Sequence, residues 1–350
     1  MPSEDGIKAG RVGAMEIRKI KPLPGSGGMR AIVQRMEAAT DASPLKEPGP
    51  TELSRIGFMP FGRDLPSFFE LPGGQGAVVR IGMHNKIIPA AAVAAELERE
   101  CEKVRVKTHA EPGAKLRRAL RDQVLERMCA SAFHATRASY ILLDAKNGLL
   151  FASGAPTSML AHSIEFLCKH VGGVKVELMD GASGINAFFA RTTGLLMEHA
   201  EQGLSIGPGG QVLVALADKA KFVSRETGET LAVSRHAIAH STPVRAALKE
   251  AFEGSMARLV ATMPDGNQSE PSFLLYMDLS SSGKIAGVSF EEAQEDTGGE
   301  AEARDGQGAN GETLLMDLGR LFVARLKAFR LAATVIDGLF ADREGEEEVA

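Results

Sequence analysis

Two stretches in the first half of the chain repeat an apolar residue every three or four positions, a spacing typical of amphipathic helices. The first begins at Pro89, whose fixed φ suits a first helical turn, and its apolar stripe is Val93, Leu97, Cys101 and Val104. A break at Pro112-Gly113 follows, and the second stripe is Leu116, Leu120, Val124 and Met128. The pattern predicts two consecutive helices, each with one buried side.

Strand patterns surround this pair of helices. Ser139–Asp144 and Leu149–Ser153 flank Asn147-Gly148, a dipeptide that supplies the positive φ of a hairpin turn. Gly76–Ile88 is predicted as a second hairpin, with its turn around His84-Asn85. Further predicted elements are a strand at Glu16–Leu23, helices at Met29–Ala39, Thr157–His170 and Thr313–Phe340, and strands at Val174–Met179, Gln211–Ala217, Phe273–Leu279 and Lys284–Phe290. Together they indicate an α+β fold with antiparallel sheets and packed helices.

The element pattern also suggests how the chain divides. We expect an N-terminal α+β module (1–88), a basic helical hairpin (89–138) and a central α+β module (139–290). A disordered acidic linker (291–312), almost without apolar residues, precedes the last helix and an acidic tail (313–350).

Charge is segregated along the 350 residues. The net charge is −5, but residues 291–350 hold 15 Asp or Glu against 6 Lys or Arg, so residues 1–290 are net basic. Residues 103–137 hold nine basic side chains against Glu111, Asp122 and Glu126. Such a cluster attracts a polyanion, although a solvated helix face is the alternative explanation.

Composition places the chain in the cytoplasm. No apolar run approaches the roughly 18 residues that span a bilayer, and the acidic N-terminus lacks the layout of a signal peptide. Cys101, Cys129 and Cys168 are odd in number and widely spaced, so we expect buried apolar residues rather than disulfides or metal ligands.

No catalytic or cofactor motif is found. Ser280–Lys284 resembles the end of a phosphate-binding loop but lacks its first glycine and its last hydroxyl residue. His236 and His240 have metal-ligand spacing, yet Ala237 stands where a zinc hydrolase needs a glutamate. We therefore expect no metal, no cofactor and no enzyme activity. The absence of Trp and the presence of only two Tyr disfavour a base-stacking platform, which leaves Lys and Arg contacts with the phosphate backbone.

A series of short segments resembles the RdgC family of recombination-associated proteins, most clearly from about Thr51 to Val176. In order they are Gly57-Phe58-Met59-Pro60, Lys86-Ile87-Ile88-Pro89, Leu120-Arg121-Asp122-Gln123-Val124, Ala132-Phe133, Ile141-Leu142-Leu143-Asp144 and Asn147-Gly148-Leu149. The chain departs from the family pattern at Ala130 and Ser131, where Pro-Arg is usual, at Phe58, where Trp is usual, and at Ser234-Arg235-His236, where lysines are usual.

The resemblance implies a ring-shaped homodimer that encircles double-stranded DNA without sequence preference. It also implies that the dimer restrains RecA-driven recombination, which would place it at the nucleoid. The Lys115–Met128 helix would belong to the part that closes the ring, with Phe133 at a dimer contact. The basic residues expected to contact DNA are Lys86, Lys103, Arg105, Lys107, Lys115, Arg117, Arg118, Arg121, Arg127, Arg137 and Arg235.

Two other functions stay open. The second hypothesis is an inhibitor that touches a RecA-type recombinase directly, through the last helix or the acidic tail, without DNA. The third hypothesis is a metal-dependent nuclease that uses His236 and His240.

Overall fold

The computed structural model describes residues 11–199, 202–207, 211–234, 238, 241–249, 252–264, 271–292 and 311–340. Seven helices lie in this part of the chain: α1 Gly28–Ala42, α2 Ala90–Thr108, α3 Ala114–Ser131, α4 Thr157–Val171, α5 Asp180–Glu198, α6 Thr242–Lys249 and α7 Gly311–Phe340. The strands there are β1 Arg11–Pro22, β2 Ser54–Phe58, β3 Phe68–Glu70, β4 Gly76–Lys86, β5 His134–Asp144, β6 Leu149–Ser153, β7 Val174–Leu178, β8 Leu204–Ile206, β9 Val212–Ser224, β10 Thr230–Ser234, β11 Phe252–Pro264, β12 Pro271–Ser280 and β13 Ile285–Glu292.

These strands form one sheet in which every described pairing is antiparallel. The order is β10-β9-β11-β12-β13-β1-β6-β5-β4-β2, with β3 beside β4, β7 beside β1 and β8 beside β9. Strand β1 joins the two halves, because it pairs with β6 on one side and with β13 and β7 on the other. The predicted α+β class with antiparallel pairing is confirmed.

Strand β4 is buried on both faces over its first half. Along β4, Ala77, Val79 and Ile81 pack in a cluster with α1 and α4, whereas Val78 packs in the cluster that contains α7. Side chains alternate between the two faces of a strand, so a continuous apolar run fits a strand covered by helices on both sides. Helix α7 contributes three fully buried phenylalanines, Phe322, Phe329 and Phe340.

An ion pair between a half-buried arginine and a fully buried aspartate connects α7 with the turn between β5 and β6. The Arg330 guanidinium donates from Nε to Asp144 Oδ2 at 2.6 Å and from Nη2 to Oδ1 at 2.8 Å, and Asn147 Nδ2 donates to Oδ2 at 2.7 Å. Burial alone would raise the pKa of Asp144, but the hydrogen bonds from Arg330 and Asn147 outweigh it and lower the pKa. Asp144 is therefore ionised and fully paired in the folded chain.

Several local predictions are confirmed. Asp144 pairs with Leu149 across the β5–β6 turn, where Gly148 has φ 63°. Helix α4 ends at Val171, just before Gly172-Gly173. The β12–β13 hairpin and the long last helix are also present.

The predicted hairpin at Gly76–Ile88 is wrong. The chain does not turn at His84-Asn85, and β4 is one strand that pairs with β5 from Gly76↔Asp144 to Lys86↔His134. Strand β2 pairs on its other side, from Ser54↔Asn85 to Phe58↔Ile81. A turn at His84-Asn85 would break the hydrogen bonds that β4 makes with both β2 and β5. Tertiary pairing therefore overrides the local turn signal.

Helix α5 was not predicted by the apolar pattern. Its sequence contains Gly181, Gly184 and Gly194, which lower intrinsic helix propensity. The helix packs against α7, where the rings of Phe189 and Phe340 are stacked with centroids 6.1 Å apart. Tertiary contacts therefore stabilise what propensity disfavours.

Part of the predicted acidic linker is ordered. Glu291 and Glu292 belong to β13, and Gly311 and Glu312 begin α7. Residues 293–310 and the tail 341–350 lie outside the described residues.

Candidate nucleic-acid interface

Helices α2 and α3 form a hairpin inserted between the end of β4 and the start of β5. At its base, which we call the neck, Ile87 N donates to Phe133 O at 2.8 Å, one residue beyond the Lys86↔His134 pair. The two helices pack chiefly on each other. The hairpin is thus attached to the sheet through the neck.

The apolar contact between α2 and α3, which we call the seam, buries few side chains. Val93, Leu97 and Cys101 are buried on α2, as predicted, but on α3 only Val124 and Cys129 are buried among the residues of that helix. The predicted stripe on α3 is therefore buried only in part: Leu116 is 45% exposed, and Val106 on α2 is 64% exposed. Apolar surface remains at the tip of the hairpin.

Four of the predicted DNA-contacting cations form ion pairs with glutamates. Each partner lies on α2 or in the turn after it, and the pairs are Lys103–Glu100 at 2.9 Å, Arg105–Glu102 at 2.7 Å, Arg105–Glu111 at 3.4 Å, Arg117–Glu98 at 3.4 Å, Arg127–Glu96 at 2.6 Å and Arg127–Glu100 at 3.3 Å. The hydrogen bond that Lys103 donates to Glu100 contributes most to lowering the pKa of Glu100. The hydrogen bond that Arg105 donates to Glu102 contributes most to raising the pKa of Arg105. The basic count over 103–137 missed this compensation because Glu96, Glu98, Glu100 and Glu102 precede that window.

Five predicted cations make no ion pair or hydrogen bond within the described residues. All five are exposed: Lys107, Lys115, Arg118, Arg121 and Arg137. We call them the unpaired set. On α3 the spacing of 3.6 residues per turn places Lys115 and Arg118 away from the seam. Arg117, Arg121 and Arg127 flank the seam, and of these three Arg117 and Arg127 reach the α2 glutamates.

The outward side of α3 is not uniformly basic. Asp122 and Glu126 share it with Lys115 and Arg118, and all four side chains are exposed. Arg118 and Asp122 lie one helical turn apart on this side, but no ion pair between them forms among the described residues. The unpaired cations therefore stay free to meet an external anion.

Lys86 lies in the neck rather than on the hairpin surface. Its Nζ donates to the carbonyl oxygens of Gly49 at 2.8 Å, Pro50 at 3.2 Å and Cys129 at 2.7 Å. An ammonium has three N–H donors, so all three are engaged. Lys86 ties the loop before β2 to the end of α3.

Phe133 lies in the neck with 86% of its surface exposed. Its carbonyl holds Ile87, but its ring does not pack in any of the described apolar clusters. The remaining predicted residues, Arg235, His236 and His240, lie outside the described part of the chain.

A polar cluster in the neck was missed by sequence reasoning. Glu47, from the loop after α1, lies with Oε2 3.3 Å from His134 Nε2, and the His84 and His134 rings are 4.4 Å apart at 64°. Burial, and then the charge of His134, lower the pKa of His84. The three residues are far apart in sequence, so no spacing motif signals them.

Comparison with known proteins identifies the family. The model of the family described as "Putative exonuclease, RdgC" matches residues 27–248, a span that contains the whole α2–α3 hairpin, the neck and strands β2 to β10. The chain belongs to the RdgC family.

Curated relatives carry the name "Recombination-associated protein RdgC". One from Xanthomonas oryzae pv. oryzae (strain MAFF 311018) is 32% identical over 107 residues, which cover 30% of this chain and 36% of the relative. One from Xylella fastidiosa (strain M12) is 29% identical over 105 residues, 30% of this chain and 35% of the relative. The matched segment thus spans about a third of the length of these RdgC relatives. In the described part of the chain, no helix has both the length and the apolar character needed to cross a bilayer.

Proposed function

We propose that this RdgC-family chain binds double-stranded DNA without sequence preference, encircles it as a ring-shaped homodimer and restrains RecA-mediated recombination. The observation that carries the proposal is the unpaired set of cations on and beside the α2–α3 hairpin. The relatives' name, "Recombination-associated protein RdgC", supports the link with recombination.

The chemistry of this surface favours phosphate over base contacts. Lys and Arg on an exposed helix reach the backbone of a duplex, which carries no sequence information directly. Stacking on unpaired bases needs exposed aromatic rings. Among the described residues, Phe133 is the one exposed phenylalanine, and Tyr140 and Tyr276 are half-buried. The exposed side chains of this surface therefore suit electrostatic binding to the phosphate backbone of duplex DNA.

Exposed apolar residues support self-association. Phe133 lies at the neck, and Val106 and Leu116 lie near the tip of the hairpin. Such side chains lose contact with water when two copies meet, which contributes roughly 25 cal/mol for each Å² of apolar surface buried. A dimer that joins these surfaces would place two basic hairpins around one duplex.

The test combines mass and binding. Light scattering after gel filtration measures the association state, and anisotropy titrations with three unrelated labelled duplexes measure Kd at several salt concentrations. We expect a dimer, equal Kd values for the three sequences and a Kd that rises steeply with salt. A salt-independent Kd, or a strong preference for one sequence, would refute the proposal.

Topology gives a second arm. An encircling dimer should load poorly on covalently closed circles and should slide off the ends of linear duplex, so blocking the ends should prolong its residence. Equal residence on blocked and open duplexes would argue against encirclement while leaving DNA binding intact.

We propose binding without cleavage, although the family description contains the word exonuclease. Incubation of end-labelled duplex with the full chain and Mg²⁺ or Mn²⁺ tests this directly. Mononucleotide release that persists through purification and disappears in a His240→Ala variant would replace our proposal with the nuclease hypothesis.

A further inference from the structure

We propose that Glu47, His84 and His134 form a binding site for a divalent transition-metal ion of the Zn²⁺ class, which fastens the neck of the α2–α3 hairpin. One potential ligand atom from each residue lies within 4.8 Å of those of the other two. Two imidazoles and one carboxylate are a donor set that Zn²⁺ accepts, with a fourth position left for water.

The two histidines converge because of strand register. His84 pairs directly with Thr136 and His134 with Lys86, so the two imidazoles are diagonal neighbours on one face of the β4–β5 pair. Their ring centroids are 4.4 Å apart. The backbone ladder, rather than a flexible loop, positions both rings.

Thr136 orients one of the rings. Its Oγ1 lies 2.8 Å from His84 Nδ1, which leaves the other ring nitrogen of His84 for a ligand. A metal-binding imidazole usually has its second nitrogen held by a hydrogen bond of this kind, because that bond sets the tautomer and the ring orientation.

The loop that carries Glu47 is fastened over the same face. Lys86 Nζ donates to the carbonyls of Gly49 and Pro50, and Arg55 Nη1 donates to the carbonyl of Glu47 itself at 3.1 Å. The Glu47 side chain remains exposed and free to adjust. Its Oε2 is already 3.3 Å from His134 Nε2, close to the separation of about 3.4 Å between two ligand atoms of a tetrahedral zinc ion.

An ion at this point would link three parts of the chain. The ligands come from the loop before β2, from the end of β4 and from the start of β5, and the last two flank the hairpin. Metal binding would therefore stiffen the connection between the hairpin and the sheet. This inference does not depend on DNA binding, so each can fail without the other.

The test is zinc titration of the full chain against a chromophoric chelator, with Co²⁺ absorption as a second readout. We expect one ion per chain, visible Co²⁺ bands typical of a low-symmetry site and a Tm that rises with Zn²⁺. His84→Ala and His134→Ala should each weaken binding by at least about tenfold, and Thr136→Val by about tenfold, the effect of losing a group that orients a ligand.

Glu47→Gln distinguishes loss of zinc binding from misfolding. This side chain is exposed, so its replacement should leave the Tm of the zinc-free chain unchanged. His162→Ala is the matched control, since His162 is an exposed histidine on α4. Zinc binding that survives His84→Ala and Glu47→Gln, or that is lost only in a His236→Ala/His240→Ala double variant, would overturn the proposal. Absence of binding to the unaltered chain would do the same.

Discussion

The division of the basic residues into paired and unpaired sets predicts which substitutions change DNA binding. Arg118 and Arg121 are exposed and have no partner among the described residues, whereas Arg127 is engaged by Glu96 at 2.6 Å and by Glu100 at 3.3 Å. A paired arginine must give up its carboxylate before it can meet a phosphate. The unpaired arginines need no such exchange.

The magnitude follows from counterion release. Each phosphate contact contributes about −0.9 to the slope of log K against log salt on B-DNA. Replacing Arg118 and Arg121 with glutamine should therefore make the slope shallower by about 1.8 for each chain that contacts the duplex. The loss should be the same for all sequences, because these contacts carry no base information.

The matched control removes an ion pair instead. Arg127→Gln combined with Glu96→Gln also replaces two side chains. It removes one positive and one negative charge, so the net charge is unchanged. We expect a slope equal to that of the unaltered chain. The assay is an anisotropy titration of one labelled duplex at four or more salt concentrations for the three proteins.

Two outcomes would refute this reasoning. A slope that is unchanged in the Arg118→Gln/Arg121→Gln variant would mean that the unpaired arginines of α3 do not contact DNA. A control variant whose slope is shallower by about 0.9 would mean that Arg127 leaves Glu96 for a phosphate, so that the paired set contributes as well.

Four further predictions concern stability and assembly. Arg330→Met should lower the free energy of unfolding by about 3–5 kcal/mol in denaturant titrations, because it leaves the buried Asp144 carboxylate without its partner. In the unaltered chain the pKa of Asp144 is lowered in the folded state. The stabilisation that the ionised Asp144 contributes is therefore present above the ordinary aspartate pKa and is lost as pH falls through the folded pKa. In Asp144→Asn, the free energy of unfolding should depend less on pH. Gly57→Ala should cost about 1–3 kcal/mol, since its Cβ would lie 2.5 Å from a backbone Cα of the neighbouring loop, whereas Gly113→Ala meets open space and should cost far less. Phe133→Ala should leave the monomer's Tm unchanged, because the ring is 86% exposed, but should weaken dimerisation by about 2 kcal/mol in sedimentation equilibrium; a dimer of unaltered affinity would exclude Phe133 from the contact.

Elements with local signals were predicted from the sequence. The Asn147-Gly148 turn, the helix that ends before Gly172-Gly173 and the helix that follows Pro89 each depend on a backbone preference of one or two residues. The apolar repeat added the buried side of α2 and the long last helix. These features need only neighbours within a few positions, so the sequence by itself determined them.

Tertiary structure decided the features that join distant segments. The length of β4 depends on two partner strands, one of them beginning at His134, and the ladder hydrogen bonds outweigh a local turn signal at His84-Asn85. The charge available for DNA depends on which arginines of α3 face the glutamates of α2 across the seam. The meeting of Glu47 with two histidines depends on strand register and on a loop fastened by Lys86. Coulomb attraction, hydrogen bonding and metal ligation act over a few ångströms of space, and separation along the chain does not reveal that distance.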